Sequence, residues 1–312
     1  GLFPEGMEQN PLYYDLALEM ITENKPKDPE LWLHSYALRR YGSNESCLSE
    51  ALMKLKTTCY GDNCTGRETG SIVCARPGTQ LKHTSIGDTL ELRYDNKDLL
   101  EAAEALLNAK KAAKDGYAYD VCDVVRQVLS NHARVYYSKA VKGYSDKDPR
   151  AFEMNSNAFL RLLEDLDRLL QTREELTLIK RLRDANAAAI IDGDKQNFEI
   201  NVLTQFAVWG PMNDTVLYDN AWREWGGLTK TFCAMRWRMF FEMLAGSFKG
   251  MRRVSTTTRK QIYDRNAHRG SGFYKNLERA ERHWIASCRP EEVAAENTVV
   301  VARELITKYR KS

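Results

Sequence analysis

The chain has 312 residues, a hydrophobic share of 43% and a formal net charge of +3. That is enough apolar content for a full core, in one large domain or two smaller ones. Basic and acidic residues are mixed throughout with no basic stripe, and no run of about 18 apolar residues occurs, which argues against a nucleic-acid partner and against a membrane span.

The chain opens Gly1-Leu2-Phe3-Pro4-Glu5-Gly6-Met7-Glu8-Gln9-Asn10, without Met and without an apolar leader, and reads as the continuation of something upstream. Pro4 fixes the backbone before Glu5 and Gly6 loosens it afterwards. That setting suits a carboxylate presented from the end of a strand, so Glu5 is a candidate nucleophile or general base. A solvated surface carboxylate is the commoner fate of such a triplet. Glu8 suits the first turn of a helix beginning near Pro11.

Beyond about residue 26 the apolar spacing is helical almost everywhere. Asp28-Pro29-Glu30 and Asp148-Pro149 mark helix starts, with Pro in the first turn. Leu99 to Ala113 is rich in Ala, Leu, Glu and Lys and is expected to be helical. Val121, Val124, Val125, Val128 and Leu129 form one apolar stripe. Phe159, Leu162, Leu163, Leu166, Leu169 and Leu170 form another. Thr172-Arg173-Glu174-Glu175 fits a capping box. A helix is also expected from about Asp219 to Leu244, with Trp222, Trp225, Phe232 and Trp237 serving the core. The exception is Tyr60 to Tyr94, a long Gly- and Pro-bearing loop with room for short strands; loops of that length are functional or disordered. The basic run Lys249 to Lys260 reads as a solvated face or loop.

The seven cysteines are an odd count. Cys59, Cys64 and Cys74 cluster in the long loop, and Cys64–Cys74 or a pairing with Cys59 are candidate disulfides. Asn44, Asn63 and Asn213 each begin an Asn-x-Ser/Thr triplet, a candidate glycosylation site. Together these features lean toward a lysosomal or secreted chain. The spacing of Cys59, Cys64, Cys74 and His83 does not match structural zinc sites, and His34, His83, His132, His268 and His283 are scattered, so neither a metal nor another cofactor is expected.

Trp209-Gly210-Pro211 forces a chain reversal that leaves an indole at a helix end. Sugar C–H faces stack on such rings, and Asn213, Asp214 and Asp219 could receive the hydroxyls. A core Trp at a helix corner is the blander alternative.

Several segments, taken in order, resemble glycoside hydrolase family 89, the alpha-N-acetylglucosaminidases. They are Phe3-Pro4-Glu5-Gly6 with Gln9-Asn10, Tyr36 with Arg39-Arg40-Tyr41-Gly42, and Arg76-Pro77 with His83-Thr84-Ser85. They continue with Tyr119-Asp120, Asp123 and Arg126-Gln127, then Val208-Trp209-Gly210-Pro211, then Asp219, Trp225, Gly227-Leu228 and Arg236-Trp237. Leu203, Ala207 and Asn220 depart from the family pattern. The resemblance implies a mainly α fold: residues 1–26 as the last strand and helix of a catalytic (β/α) barrel, and residues 27–312 as an all-helical C-terminal domain with its long loop near 60–94. It implies a retaining hydrolase of terminal alpha-linked N-acetylglucosamine, on heparan-sulfate-type or other glycans. Glu5 would be the nucleophile, Trp209 and Asp219 would serve the sugar pocket, and the acid/base would lie on an upstream portion absent from this chain. Homo-oligomers are common in the family. A catalytically silent helical glycan-binding or interaction module is the alternative.

Overall fold

The structure is a computed structural model that describes residues 10–23, 27–61, 69–85, 88–209, 219, 222–248, 272–290, 292 and 296–310. Among these residues the architecture is all-helical, and strand pairing is confined to two isolated bridges, Thr69 with Thr89 and Thr177 with Gly226. No described helix is long and apolar enough to cross a membrane. The chain divides into two compact units whose segments interleave in sequence.

The first unit draws on Gly1–Asp62, Lys97–Val125 and Thr298–Ser312. It contains helices α1 (Pro11–Glu23), α2 (Pro29–Tyr41) and α3 (Ser46–Thr57), nearly all of α4 (Asn96–Leu107), the opening turns of α5 (Asp115–Ser145) and α11 (Thr298–Tyr309). Asp28 begins α2 as expected: its carboxylate accepts from Glu30 N at 2.9 Å and Leu31 N at 3.0 Å, which satisfies orphan donors of the first turn. Gly42 ends the same helix at φ 72°, its N–H bonded to Leu38 O. That left-handed backbone favours glycine. Leu48, Leu52, Leu99, Leu106, Val121, Val125, Val301 and Leu305 are buried and form the core. α11 is tied to α4 by Arg303, which donates to Leu107 O at 2.6 Å, and by the Arg310–Glu104 ion pair at 3.1 Å.

The helix expected over Leu99–Ala113 stops at Leu107. The N–H groups of Lys110 and Lys111 instead reach the Glu45 carboxylate, at 3.0 and 2.8 Å. A tertiary acceptor has overridden local propensity.

The second unit draws on Asn63–Asn96 and Arg126–Asn297. It holds the rest of α5, α6 (Pro149–Leu170), α7 (Leu178–Ala188), α8 (Lys195–Ala207), a π-helical turn (Thr229–Cys233) that runs into α9 (Ala234–Phe248), and α10 (Gly272–Ser287). All six apolar residues of the α6 stripe are fully buried. Asp148 caps that helix by accepting from Ala151 N at 2.9 Å. The capping box expected at Thr172 does not form: Thr172 Oγ1 donates back to Leu169 O, and Thr177 caps α7 by accepting from Lys180 N. The helix expected from Asp219 begins only at Leu228, because residues 222–225 are irregular.

The long loop is irregular, as its glycines and prolines suggest, yet its described part is not a surface excursion. Ile72, Val73, Cys74 and Ala75 are buried. Backbone polar groups placed in a core need partners, and side chains supply them. Trp237 Nε1 donates to Val73 O at 3.0 Å, Arg236 Nη1 to Cys74 O at 3.3 Å, Tyr274 Oη to Pro77 O at 3.0 Å and Tyr137 Oη to Gly78 O at 2.8 Å. The fully buried Asp88 carboxylate accepts from Thr84 N at 2.9 Å and Ser85 N at 3.0 Å. Gly70 is required here, since a Cβ on it would lie 2.1 Å from Asp88 Oδ2.

Candidate functional site

Glu5 lies outside the described residues, as do Cys64, Asn63 and Asn213. Asn44 is exposed on the turn between α2 and α3, a position open to a glycan. Cys74 forms no disulfide among the described residues, and the candidate pairings of Cys64 with Cys74 or Cys59 lie outside them. Cys74 Sγ instead donates to Arg223 O at 3.3 Å. Among the described residues no group of three or more His, Cys, Asp or Glu could hold a metal ion.

Trp209 ends α8 half-buried, with φ 49° and its N–H bonded to Thr204 O at 2.8 Å. Asp219 has φ 60°, and its N–H bonds Val208 O at 2.9 Å. Left-handed backbone at residues with a Cβ is strained, and it persists only where the surroundings over-determine it. The surroundings here are a buried ion-pair cluster. Arg236, on α9, is 1% exposed; its Nη2 donates to Asp219 Oδ1 at 2.7 Å, and its Nε lies 2.8 Å from Glu281 Oε1 on α10. Arg76 Nη2 reaches Glu281 Oε2 at 3.5 Å. The guanidinium of Arg236 also lies over the Phe232 ring at 4.3 Å, a favourable cation–π placement. Burial pushes the Asp219 carboxyl above its ordinary range, and the Arg236 charge pulls against that shift.

Trp209 and Asp219 therefore share one neighbourhood, as the sequence suggests, with Cys74, Phe206, Trp222 and Cys233 around them. The cleft they line measures about 10 Å³. That is room for about one water among the described residues. Asp219 is 6% exposed, and its Oδ1 accepts from Arg236.

A second buried hub escaped the sequence reading. Glu224 is fully buried; Oε2 accepts from Arg126 Nη1 at 2.6 Å, and Oε1 accepts from Ser130 Oγ at 2.5 Å and from Ser71 Oγ. It binds the long loop, α5 and the 222–225 segment together. The available signal was Arg126 itself, a charged residue between the buried Val125 and Val128 of an apolar stripe. Arg236, between Phe232 and Phe240, gives the same signal. A charge on a buried face needs a buried partner. In the first unit, two of the family-like segments meet directly: Arg40 donates to Asp120 from Nε and Nη2, both at 2.6 Å, and Tyr41 Oη adds a bond of 2.9 Å.

Residues 32–308 match the family described as the alpha-N-acetylglucosaminidase (NAGLU) C-terminal domain. The human alpha-N-acetylglucosaminidase is 30% identical over 254 residues, which cover 79% of this chain and 33% of the human protein. A family 89 glycoside hydrolase from Clostridium perfringens, solved with 2-acetamido-1,2-dideoxynojirmycin, superposes with a TM-score of 0.83 at 25% identity over 96% of this chain and 34% of its own. The same bacterial enzyme with two Glu→Gln substitutions, solved in complex with its substrate GlcNAc-alpha-1,4-galactose, gives a TM-score of 0.82 over the same shares. The chain spans about a third of the length of these relatives. The match over residues 32–308 shows that this chain belongs to the alpha-N-acetylglucosaminidase C-terminal domain family.

Proposed function

We propose that this chain is the C-terminal portion of a retaining glycoside hydrolase that removes terminal alpha-linked N-acetylglucosamine. Residues 1–26 would close a catalytic barrel, and the rest would form its helical companion. The family match over residues 32–308 carries this reading. Two solved structures of one bacterial relative, one of them holding GlcNAc-alpha-1,4-galactose, support the substrate class.

In this reading Glu5 attacks the anomeric carbon, and the leaving oxygen takes a proton from a second carboxyl contributed by the upstream portion. A covalent glycosyl-enzyme forms, and water then releases the sugar as the second carboxyl takes a proton back. Such pairs stand ~5–5.5 Å apart. A Glu at the C-terminal end of a barrel strand is where that fold places catalytic groups. Trp209 supplies an apolar wall to the sugar. Asp219 serves the pocket through Arg236, by fixing the backbone beside that wall. Heparan-sulfate-type glycans, an acidic lysosomal or secreted setting and assembly with further copies complete the proposal.

The test is hydrolysis of an aryl alpha-N-acetylglucosaminide by the protein with and without its upstream portion, with the product followed by proton NMR. The joined protein should release the alpha anomer first, Glu5→Gln should abolish turnover while leaving the fold intact, and the 312-residue chain alone should be inactive. Full activity of Glu5→Gln, or first release of the beta anomer, would overturn the assignment.

A further inference from the structure

Two cysteines unconnected with glycoside chemistry lie together in the second unit. Cys74 is 5% exposed and Cys233 3% exposed, and both are free thiols. They come from opposite directions in the chain. Cys74 belongs to the buried 72–75 turn, and Cys233 is the last residue of the π-helical turn before α9. Residues three and four apart share one face of a helix. Cys233 therefore shares its face with Arg236 and Trp237, whose side chains donate to the carbonyls of Cys74 and Val73 at 3.3 and 3.0 Å. The face bearing Cys233 is thus docked on the turn bearing Cys74. The two cysteines line the same narrow cleft.

We propose that Cys74 and Cys233 are a disulfide-forming pair that covalently joins the buried 72–75 turn to the start of α9 when the protein folds in the presence of a disulfide oxidant. One thiolate attacks the oxidant's disulfide and releases one of its halves as a thiol. The second thiolate then displaces the other half. The cysteines lose two protons and two electrons, one S–S bond forms between them, and the oxidant's S–S bond is reduced to two thiols. Burial, reinforced by the adjacent Cys233, pushes the Cys74 thiol well above its ordinary range. Folded Cys74 therefore presents little thiolate, and both sulfurs are buried from an oxidant, so exchange belongs to the folding chain. This inference rests on the geometry of the pair and is independent of the glycosidase reading.

The test refolds the whole reduced protein in reduced and oxidised glutathione, blocks remaining thiols at low pH, digests without reduction and maps the peptides by mass spectrometry. The expected result is a linked peptide pair carrying Cys74 and Cys233 that separates on reduction, with Cys122 recovered blocked. Reduction should also lower the thermal midpoint of the wild-type protein, whereas Cys233→Ser should show no such drop. Recovery of Cys74 joined to Cys64 or Cys59, or of Cys74 and Cys233 both blocked, would overturn the proposal. The mapping needs no variant, so a Cys233→Ser protein that fails to fold leaves the test intact.

Discussion

The two units solve the same problem differently. The first is helix packed on helix, with capped ends and an apolar core, and its main charged contact, Arg40 with Asp120, keeps 20% and 11% of the side chains exposed. The second admits an irregular segment, residues 69–85, into its interior, and the ion pairs beside that segment, Arg126 with Glu224 and Arg236 with Asp219, are far more deeply buried. The difference follows from the backbone. A helix satisfies its own N–H and C=O groups, whereas a loop in a core must borrow partners. Arg236, Trp237, Tyr137 and Tyr274 are those partners. A charged donor brought inside then requires a carboxylate, and Asp219 and Glu281 meet that need for Arg236.

If this contrast is right, cutting the deep cluster should do the most damage. Arg236→Leu strands the buried Asp219 carboxylate, leaves Glu281 with Arg76 alone, and should cost ~3–5 kcal/mol in urea unfolding. Arg40→Leu, at the more open pair, should cost only about 1–3 kcal/mol by the same measurement. Equal losses would remove the distinction between the units. Gly70→Ala forces a methyl against Asp88 and should lower stability by about 1–3 kcal/mol, since overpacking cannot be relieved where the neighbour is itself pinned. Asp28→Ala removes a helix cap in the first unit and should cost ~1 kcal/mol. It leaves the loop of the second unit untouched.

The smallest expected effect is one of pH. Burial raises the Asp167 carboxyl above its ordinary value of 3.8, against the bonds it accepts from Lys230 N, Gln171 Nε2 and Gly227 N. A carboxyl raised in the folded state binds its proton more readily there than in the unfolded chain. Its contribution to stability is therefore fully present below about 3.8 and is lost as pH rises through the folded value. The thermal midpoint of wild type relative to Asp167→Asn should accordingly be more favourable in mild acid than at neutral pH. A difference independent of pH would show that burial does not govern this carboxyl.

The helices were legible because their apolar spacing is strong, and the Asp28 and Asp148 caps followed directly from the Asp-Pro pairs. What misled was chemistry between distant segments. Lys110 and Lys111 sit in a stretch of helix formers, yet Glu45 captures their N–H groups from 65 and 66 residues away. Trp222 to Trp225 carries aromatics at nearly helical spacing, yet Glu224 is drawn into a pocket of two serines and Arg126 that fixes an irregular backbone. Trp209 and Asp219 were read as neighbours because only a short stretch carrying Gly210 and Pro211 separates them in sequence. The tie of Asp219 to Arg236 was not visible, because Arg236 lies on α9 and the resemblance marks it without a role.

The interleaving of the units also dictates an order of birth. On the ribosome, the segments of the second unit are all synthesised before residues 298–309, the helix that Arg303 and Arg310 moor to α4. Val301 and Leu305 are buried members of the first unit's core. That core therefore waits, with one wall open, until the last of its three pieces emerges, although its first piece leads the chain. A premature stop before residue 298 would spare every segment of the later-starting unit and leave the earlier-starting one without its closing helix.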